Sequence, residues 1–484
     1  MYLGLDLGTS GVKALLIDDA QAIVGSASSP LDVSRPHPGW SEQDPADWIR
    51  AAEAAIAELK ATHPGALAAV KGIGLSGHMH GATLLGSGDT VLRPCILWND
   101  TRSHAEAAAL DADPRFRAIT GNIVFPGFTA PKLAWVRANE PRIFAAVREV
   151  LLPKDYLRLW LTGEHISEMS DSAGTAWLDV GARRWSADLL AATHLDESHM
   201  PSLVEGTQQG GALRGALAAR FGMGGHVVVA GGAGDNAASA VGMGTVRPGS
   251  AFVSLGTSGV LFAANASYLP NPASAVHTFC HALPGTWHQM GVILSATDSL
   301  NWLSGVTGRD ARALTDELGD TPKGPGAVSF LPYLSGERTP HNDAAIRGAF
   351  AGLGHESGRA ALTQAVVEGV AFALRDNLDA LRAAGTELSR VTAIGGGSRS
   401  RFWLRTIANT LGLEVEVPAD GDFGAAFGAA RLGLIAAENA DPLAVCTPPA
   451  TAETLSPDAS LSDAYAEAHQ RFRALYPAIK GALS

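Results

Sequence analysis

With 484 residues, 46% of them hydrophobic and 17% charged, the chain exceeds what one core organises, so two or three domains are expected. A formal net charge of −12 argues against a nucleic-acid surface, which needs clustered Lys and Arg, but not against a nucleotide pocket built from loop amides and a metal. The three scattered cysteines, the absence of an apolar run of about 18 residues and the lack of a basic N-terminal region lead to the expectation of a cytoplasmic protein with no membrane span, no disulfide framework and no signal peptide.

Residues 2–7 alternate as a strand, with Leu3, Leu5 and Leu7 on one face and Gly4 and Asp6 on the other. Gly8-Thr9-Ser10-Gly11 has turn chemistry, and residues 12–17 resume as a strand, so the unit reads as a hairpin. Its turn offers N–H and O–H donors to an anion, and Asp6 is costly to bury unless something such as Mg²⁺ pairs with it. An ordinary hairpin with Asp6 in solvent explains this stretch equally well. Asp44-Pro45-Ala46-Asp47 is a helix start, with an N-cap acid and proline at the first helical position, followed by a covering helix.

A short strand over residues 70–75 ends in Ser76-Gly77-His78-Met79-His80-Gly81, the kind of strand end at which open α/β sheets place ligand groups. His78 and His80 invite a metal reading, but no further His or Cys nearby completes a set, so hydrogen bonding to a polar small molecule is the better fit. Ile96-Leu97-Trp98-Asn99-Asp100-Thr101-Arg102 is another strand ending in polar residues. Trp98 suits either core or a sugar face there, and Asp100 and Arg102 suit a local ion pair. The strand over residues 227–230 leads through Gly231-Gly232-Ala233-Gly234 to Asp235-Asn236 and an Ala-rich helix. By position alone Asp235 reads as an N-cap, with a general base as the alternative.

Leu255-Gly256-Thr257-Ser258-Gly259-Val260 then repeats residues 7–12 letter for letter, which implies duplicated domains that each open on a phosphate-type hairpin. Asp6 aligns with Ser254, so one half alone supplies an acid. Further on, a long helix is expected after Ser357-Gly358, a strand over residues 391–394 running into Gly395-Gly396-Gly397-Ser398, and a small-residue helix at residues 424–430. The glycine triplet permits close approach of a flat ring or is simply a tight turn. Beyond about residue 439 the tail is rich in Pro and Ala and then helical.

Together these motifs resemble the FGGY family of carbohydrate kinases, in the superfamily of hexokinase, actin and the heat-shock chaperone ATPases. The resemblance covers essentially the whole chain: residues 6–13 and 254–259 as the two phosphate motifs, Asp235-Asn236 as the catalytic region, residues 394–398 as the adenosine motif and residues 424–430 as a connecting helix. It implies an α/β fold of two ribonuclease H-like (actin/hexokinase-like ATPase) domains, residues 1–245 and 246–484, around a central nucleotide and sugar cleft. Trp40-Ser41-Glu42-Gln43-Asp44-Pro45, the 77–81 loop, Trp98-Asn99-Asp100 and Pro332-Tyr333-Leu334-Ser335-Gly336-Glu337-Arg338 look most like the bacterial branch that phosphorylates D-xylulose. His78 departs from that pattern, standing where glutamine is expected.

By resemblance, Asp235 is the general base toward the attacking sugar hydroxyl. Met79, His80, Trp98, Asp235 and Asn236 hold the sugar. Thr9, Ser10, Lys13 and Thr257 line the phosphates of ATP, Gly396, Gly397 and Ser398 the nucleoside, and Asp6 the Mg²⁺ side. The expected reaction is ATP-dependent phosphorylation of the 5-hydroxyl of D-xylulose. The alternatives are a kinase for another ketose or polyol (ribulose, an L-ketose, glycerol) or a non-enzymatic nucleotide switch of the actin or chaperone kind. The partners implied are the sugar and ATP, with no nucleic acid and no membrane, and a homodimer is compatible with the resemblance.

Overall fold

Each half of the chain begins with an antiparallel hairpin, and each hairpin seeds a seven-stranded sheet. The computed structural model describes residues 1–419, 421 and 423–483. In the first sheet β1 (Tyr2–Gly8), β2 (Gly11–Ile17) and β3 (Ile23–Pro30) form an antiparallel meander, and β1 pairs in parallel with β4 (Gly72–Gly77). With β5 (Gln209–Ala212) and β6 (Val228–Ala230) the order is β5-β6-β4-β1-β2-β3, and β7 (Ala233–Gly234) pairs beside the end of β4.

The second sheet comprises β8 (Ala251–Leu255), β9 (Gly259–Asn265), β10 (His277–Cys280), β11 (Trp287–Ile293), β12 (Arg390–Ile394), β13 (Glu414–Pro418) and β14 (Thr451–Leu455). Its order, β10-β11-β9-β8-β12-β13-β14, repeats the first succession: a meander, two parallel neighbours and an antiparallel edge strand. The six-letter repeat in the sequence therefore marks a repeated topology. The turns nevertheless close differently. Leu7 pairs with Val12 and Gly8 with Gly11, whereas Leu255 pairs with Gly259, so the second turn is one residue longer.

Helix α1 (Pro45–Thr62) starts as its sequence dictates: the Asp44 carboxylate accepts the Ala46 N–H and Pro45 sits in the first turn. Trp48, Ala52, Ala55, Ile56 and Leu59 are fully buried on its inner face, which packs on β2 and β3. Burial of each large apolar side chain contributes about 1.5–3 kcal/mol. The other site-bearing helices are α2 (Thr129–Asn139), α3 (Asp235–Gly242), α4 (Thr297–Thr307), α5 (Arg359–Ala383), α6 (Ala425–Glu438) and α7 (Ser462–Leu483).

Helix α6 lies in the second half of the chain but packs on β1 and β4 of the first sheet and along α3. Glycine permits this approach. A Cβ at Gly74 would stand 1.7 Å from the Ala429 carbonyl oxygen, and one at Gly428 would stand 1.8 Å from that of Ala238.

Two local expectations change. The tail contains the edge strand β14 before its helix, because Val415, Glu416 and Val417 offer it a free ladder. Asp235 is not an N-cap: Gly234 holds that position, and Asp235 is the first residue of α3. Among the described residues no helix is long and apolar enough to cross a membrane.

Candidate functional site

Three chain segments converge beside the end of β4. Strand β7 pairs Ala233 with Ser76 and Gly234 with Gly77, which sets Asp235 next to the loop carrying His78, Met79 and His80. Met79 is buried against that junction: a Cβ at Gly234 would lie 3.0 Å from its sulfur. Asp6 enters from β1, opposite Lys13 on β2 and Ser76 on β4. Its charge is near enough to act on Asp235, whose carboxyl is pushed up to about 6, first by burial and second by Asp6. Asn236 donates to Asp235 Oδ1 from its backbone N at 2.7 Å and its side-chain Nδ2 at 2.9 Å, which opposes the rise. A carboxylate poised near neutrality at a helix start is suited to accept a proton.

His80 is held in a left-handed conformation, φ 70°, from several sides. Its Nδ1 donates to the Gly174 carbonyl at 2.7 Å, and its ring stacks on Phe128 with centroids 4.7 Å apart. Burial, reinforced by the charge of Lys132, depresses its pKa to about 3, so the ring is neutral. With the proton on Nδ1, Nε2 is left as a hydrogen-bond acceptor.

The His80 carbonyl accepts from Thr129 Oγ1 at 3.2 Å and from Lys132 Nζ at 2.9 Å. Lys132 is fully buried on α2 and also donates to the carbonyls of Gly127 and Phe128. Burial lowers its pKa to about 7. The sequence carried no signal for this lysine beyond its place in a short helical stretch, because the groups it ties together are 52 residues apart.

Trp98 remains 47% exposed, and its indole N–H donates to Thr9 Oγ1 at 3.0 Å, so the aromatic expected to face the sugar touches the first phosphate-type turn. That turn is pinned by its carbonyls. Thr9 O accepts from Gln43 Nε2 at 2.8 Å and Ser10 O from Leu31 N at 2.9 Å. Gln43 also accepts from Trp48 Nε1 at 2.9 Å, which gives the 40–45 segment a buttressing role that its letters alone did not disclose.

The Asp100–Arg102 pair forms as read, at 2.6 Å, with the guanidinium 3.6 Å from the Trp40 ring centroid. His78 packs against Trp48 with both ring nitrogens unpartnered, and burial lowers its pKa to about 3. Among the described residues the one metal-compatible trio is Asp376, Asp379 and His469, which includes neither His78 nor His80.

On the second sheet, the carbonyl of Gly256 accepts from Thr297 N at 2.9 Å and that of Thr257 from Ala296 N at 2.8 Å, which seats the turn on the start of α4. Gly395, at φ 91°, runs so close to β8 that a Cβ would lie 2.7 Å from the Leu255 carbonyl. Gly396 faces open space. Two cavities flank this turn. One of about 480 Å³ is bordered by Thr297, Asn301, Gly396, Gly397 and Trp403, and one of about 550 Å³ by Ser239, Gly395, Ser398 and Phe423. The three expected nucleoside residues thus divide between two connected faces of one turn. A third cavity, of about 370 Å³, is bordered by His80, Trp98 and Phe128 from the first half and by His277, Glu337 and Arg338 from the second.

The chain is similar to known proteins over its whole length. The family models described as "FGGY family of carbohydrate kinases", N-terminal and C-terminal domains, match residues 1–242 and 251–437. A xylulose kinase of Escherichia coli is 49% identical over 98% of this chain and 98% of its own. A crystal structure described as a xyloylose kinase from Brucella ovis is 69% identical, covers 99% of both chains and superposes with a TM-score of 0.98. That of a xylulose kinase from Rhodospirillum rubrum is 31% identical over 100% of this chain and 99% of its own, with a TM-score of 0.92.

Proposed function

This chain belongs to the FGGY family of carbohydrate kinases, and from that premise we propose that it transfers the γ-phosphoryl group of ATP to the 5-hydroxyl of D-xylulose. The observation that carries the sugar assignment is the likeness to xylulose kinases along the entire chain. Kinases for ribulose, an L-ketose or glycerol, and a non-enzymatic switch, have no comparable support.

The chemistry follows from the arrangement of side chains. Asp235 takes the proton of the 5-hydroxyl as the oxygen attacks phosphorus in line and ADP leaves. Its raised pKa makes it a stronger base than an ordinary aspartate. Asn236 orients that carboxylate and bonds a sugar hydroxyl, His80 Nε2 accepts from another, and Met79 and Trp98 pack against the carbon chain. The turns at Thr9, Ser10 and Thr257, with Lys13, receive the phosphates, and Gly396, Gly397 and Ser398 border the nucleoside.

Asp6 and Asp235 form a pair of hard oxygen donors whose mutual repulsion a divalent cation relieves, so the residues present fit Mg²⁺ on the Asp6 side. When bound, the ion supplies neutralisation of phosphate charge. The same reading divides the chain into a sugar-side domain, residues 1–245, and a nucleotide-side domain, residues 246–484, working in the cytoplasm.

A coupled ADP-release assay across pentuloses, pentitols and glycerol tests the reading. Sugar-dependent turnover fastest with D-xylulose is expected. Dominant turnover of another sugar with D-xylulose inert overturns it, and ADP release independent of any sugar returns the protein to the switch class.

A further inference from the structure

The cavity between His80 and the second half holds two groups whose electrostatics are incomplete. Arg338 is tucked into its wall: the guanidinium lies 4.8 Å from the Phe125 ring centroid, with Nη1 3.3 Å from His277 Nε2. Burial lowers its pKa, and the adjacent Glu337 opposes this only through its charge, since no salt bridge to Arg338 is formed among the described residues. Its neighbour Glu337 is 2% exposed and borders the same cavity. Glu337 Oε1 accepts from Leu294 N at 3.1 Å and Arg338 N at 2.7 Å, whereas Oε2 is buried with no partner. Buried charge and buried polar atoms left unsatisfied are costly, and they are retained where a ligand completes them.

The lining of the cavity indicates which ligand end belongs there. Gly234, the residue before Asp235, abuts Met79, and Asp235 itself, which meets the transferred hydroxyl in the reading given above, does not border this cavity. The cavity lined by His80 and Trp98 therefore receives the opposite end of the sugar. In a 2-ketopentose that end carries a carbonyl and an adjacent hydroxyl, two neighbouring acceptors that match the fork of a guanidinium.

We propose that Arg338 and Glu337 form the specificity subsite for the C1 hydroxyl and C2 carbonyl of the ketose, so that the second half of the chain, not only the first, selects the sugar. The assignment rests on the pentulose reading above. Arg338 donates to both oxygens and Glu337 Oε2 meets the hydroxyl. Burial pushes the Glu337 carboxyl up to about 8, so at neutral pH it carries a proton to donate to that oxygen. The aromatic walls, Phe125 and Phe128, keep water from competing.

A substrate–variant cycle tests this. Binding of D-xylulose and of 1-deoxy-D-xylulose, which lacks the C1 hydroxyl, is measured by calorimetry for the wild type, Arg338→Met and Arg338→Lys. The wild type is expected to bind the deoxy sugar on the order of tenfold more weakly. Arg338→Met should weaken D-xylulose binding on the order of 10- to 100-fold and narrow the gap between the two sugars to what Glu337 alone provides, and Arg338→Lys, which keeps charge without the fork, should fall between. Unchanged ATP binding shows that the variants are folded, and if the Met variant fails that control, the Lys variant carries the cycle. Unchanged D-xylulose binding in a folded variant, or equal weakening of both sugars, overturns the proposal while leaving the pentulose reading intact. A wild type that binds neither sugar overturns both.

Discussion

Replacing Asp235 with Asn should abolish turnover and stabilise the protein at once, because one electrostatic cost underlies both effects. The carboxyl sits at about 6 instead of 3.8, about two units, with burial the larger cause and Asp6 the second. At 1.36 kcal/mol per unit, the folded state disfavours the ionised form by about 3 kcal/mol. A group whose folded pKa is raised contributes stability that is present below 3.8 and lost as pH rises through about 6, so at neutral pH the ionised Asp235 destabilises the fold. Asn keeps the shape and the hydrogen-bonding capacity toward Asn236 without the charge. The unfolding free energy from urea titration at pH 7.5 should therefore rise by about 1–2 kcal/mol once partial solvation of the site is allowed for, and the midpoint with it.

Turnover should fall on the order of 10²–10⁴-fold through loss of the base, with ATP affinity nearly unchanged. In the wild type, kcat/KM should decline tenfold per unit below an apparent pKa of about 6 for the free enzyme. Asp235→Asn with more than a tenth of wild-type turnover, or with a lowered urea midpoint, would refute the reasoning.

Asp6→Ala should raise the half-saturating Mg²⁺ concentration sharply and move the acid limb of kcat/KM to lower pH, since the charge that helps raise Asp235 is gone; unchanged metal dependence returns Asp6 to a structural role. Lys132→Met should raise the KM for sugar more than that for ATP, because the His80 carbonyl loses the shorter of its two buried donors. Between pH about 7 and 10.5 the unfolded chain binds a proton at Lys132 that the folded protein does not, so wild-type stability gains a component as pH rises across that window; melting curves of the Met variant should lack it. Gly428→Ala places a Cβ 1.8 Å from a backbone oxygen of α3 and should destabilise by about 3 kcal/mol or more, measured by urea unfolding; wild-type stability would show that α6 does not pack on α3 as described.

Local chemistry was legible where it was encoded locally. The hairpins at residues 2–17 and 251–265, the α1 cap and the glycine-led approach to Asp235 carry their own turn and capping residues, and the structure places them accordingly. The letter-for-letter repeat anticipated the repeated sheet order. What escaped was set by distant partners. Strand β14 exists because β13 leaves an edge, Lys132 matters because of a carbonyl 52 residues away, and Gln43 because it spans Thr9 and Trp48. The identical turns close in different registers because the carbonyls of one are taken by Gln43 and Leu31 and those of the other by the start of α4. The sequence reading of Asp235 by position alone, as a cap, missed by one residue, which is the difference between a carboxylate spent on its own helix and one left to face a ligand.

In the proposed arrangement Asp235 activates the hydroxyl at one end of the sugar while Arg338 holds the other. Its most direct test is the position of the phosphate in the product, read by carbon NMR after turnover of D-xylulose with ATP. Phosphorus coupling to C5 is expected, and coupling to C1 would contradict this placement of the sugar.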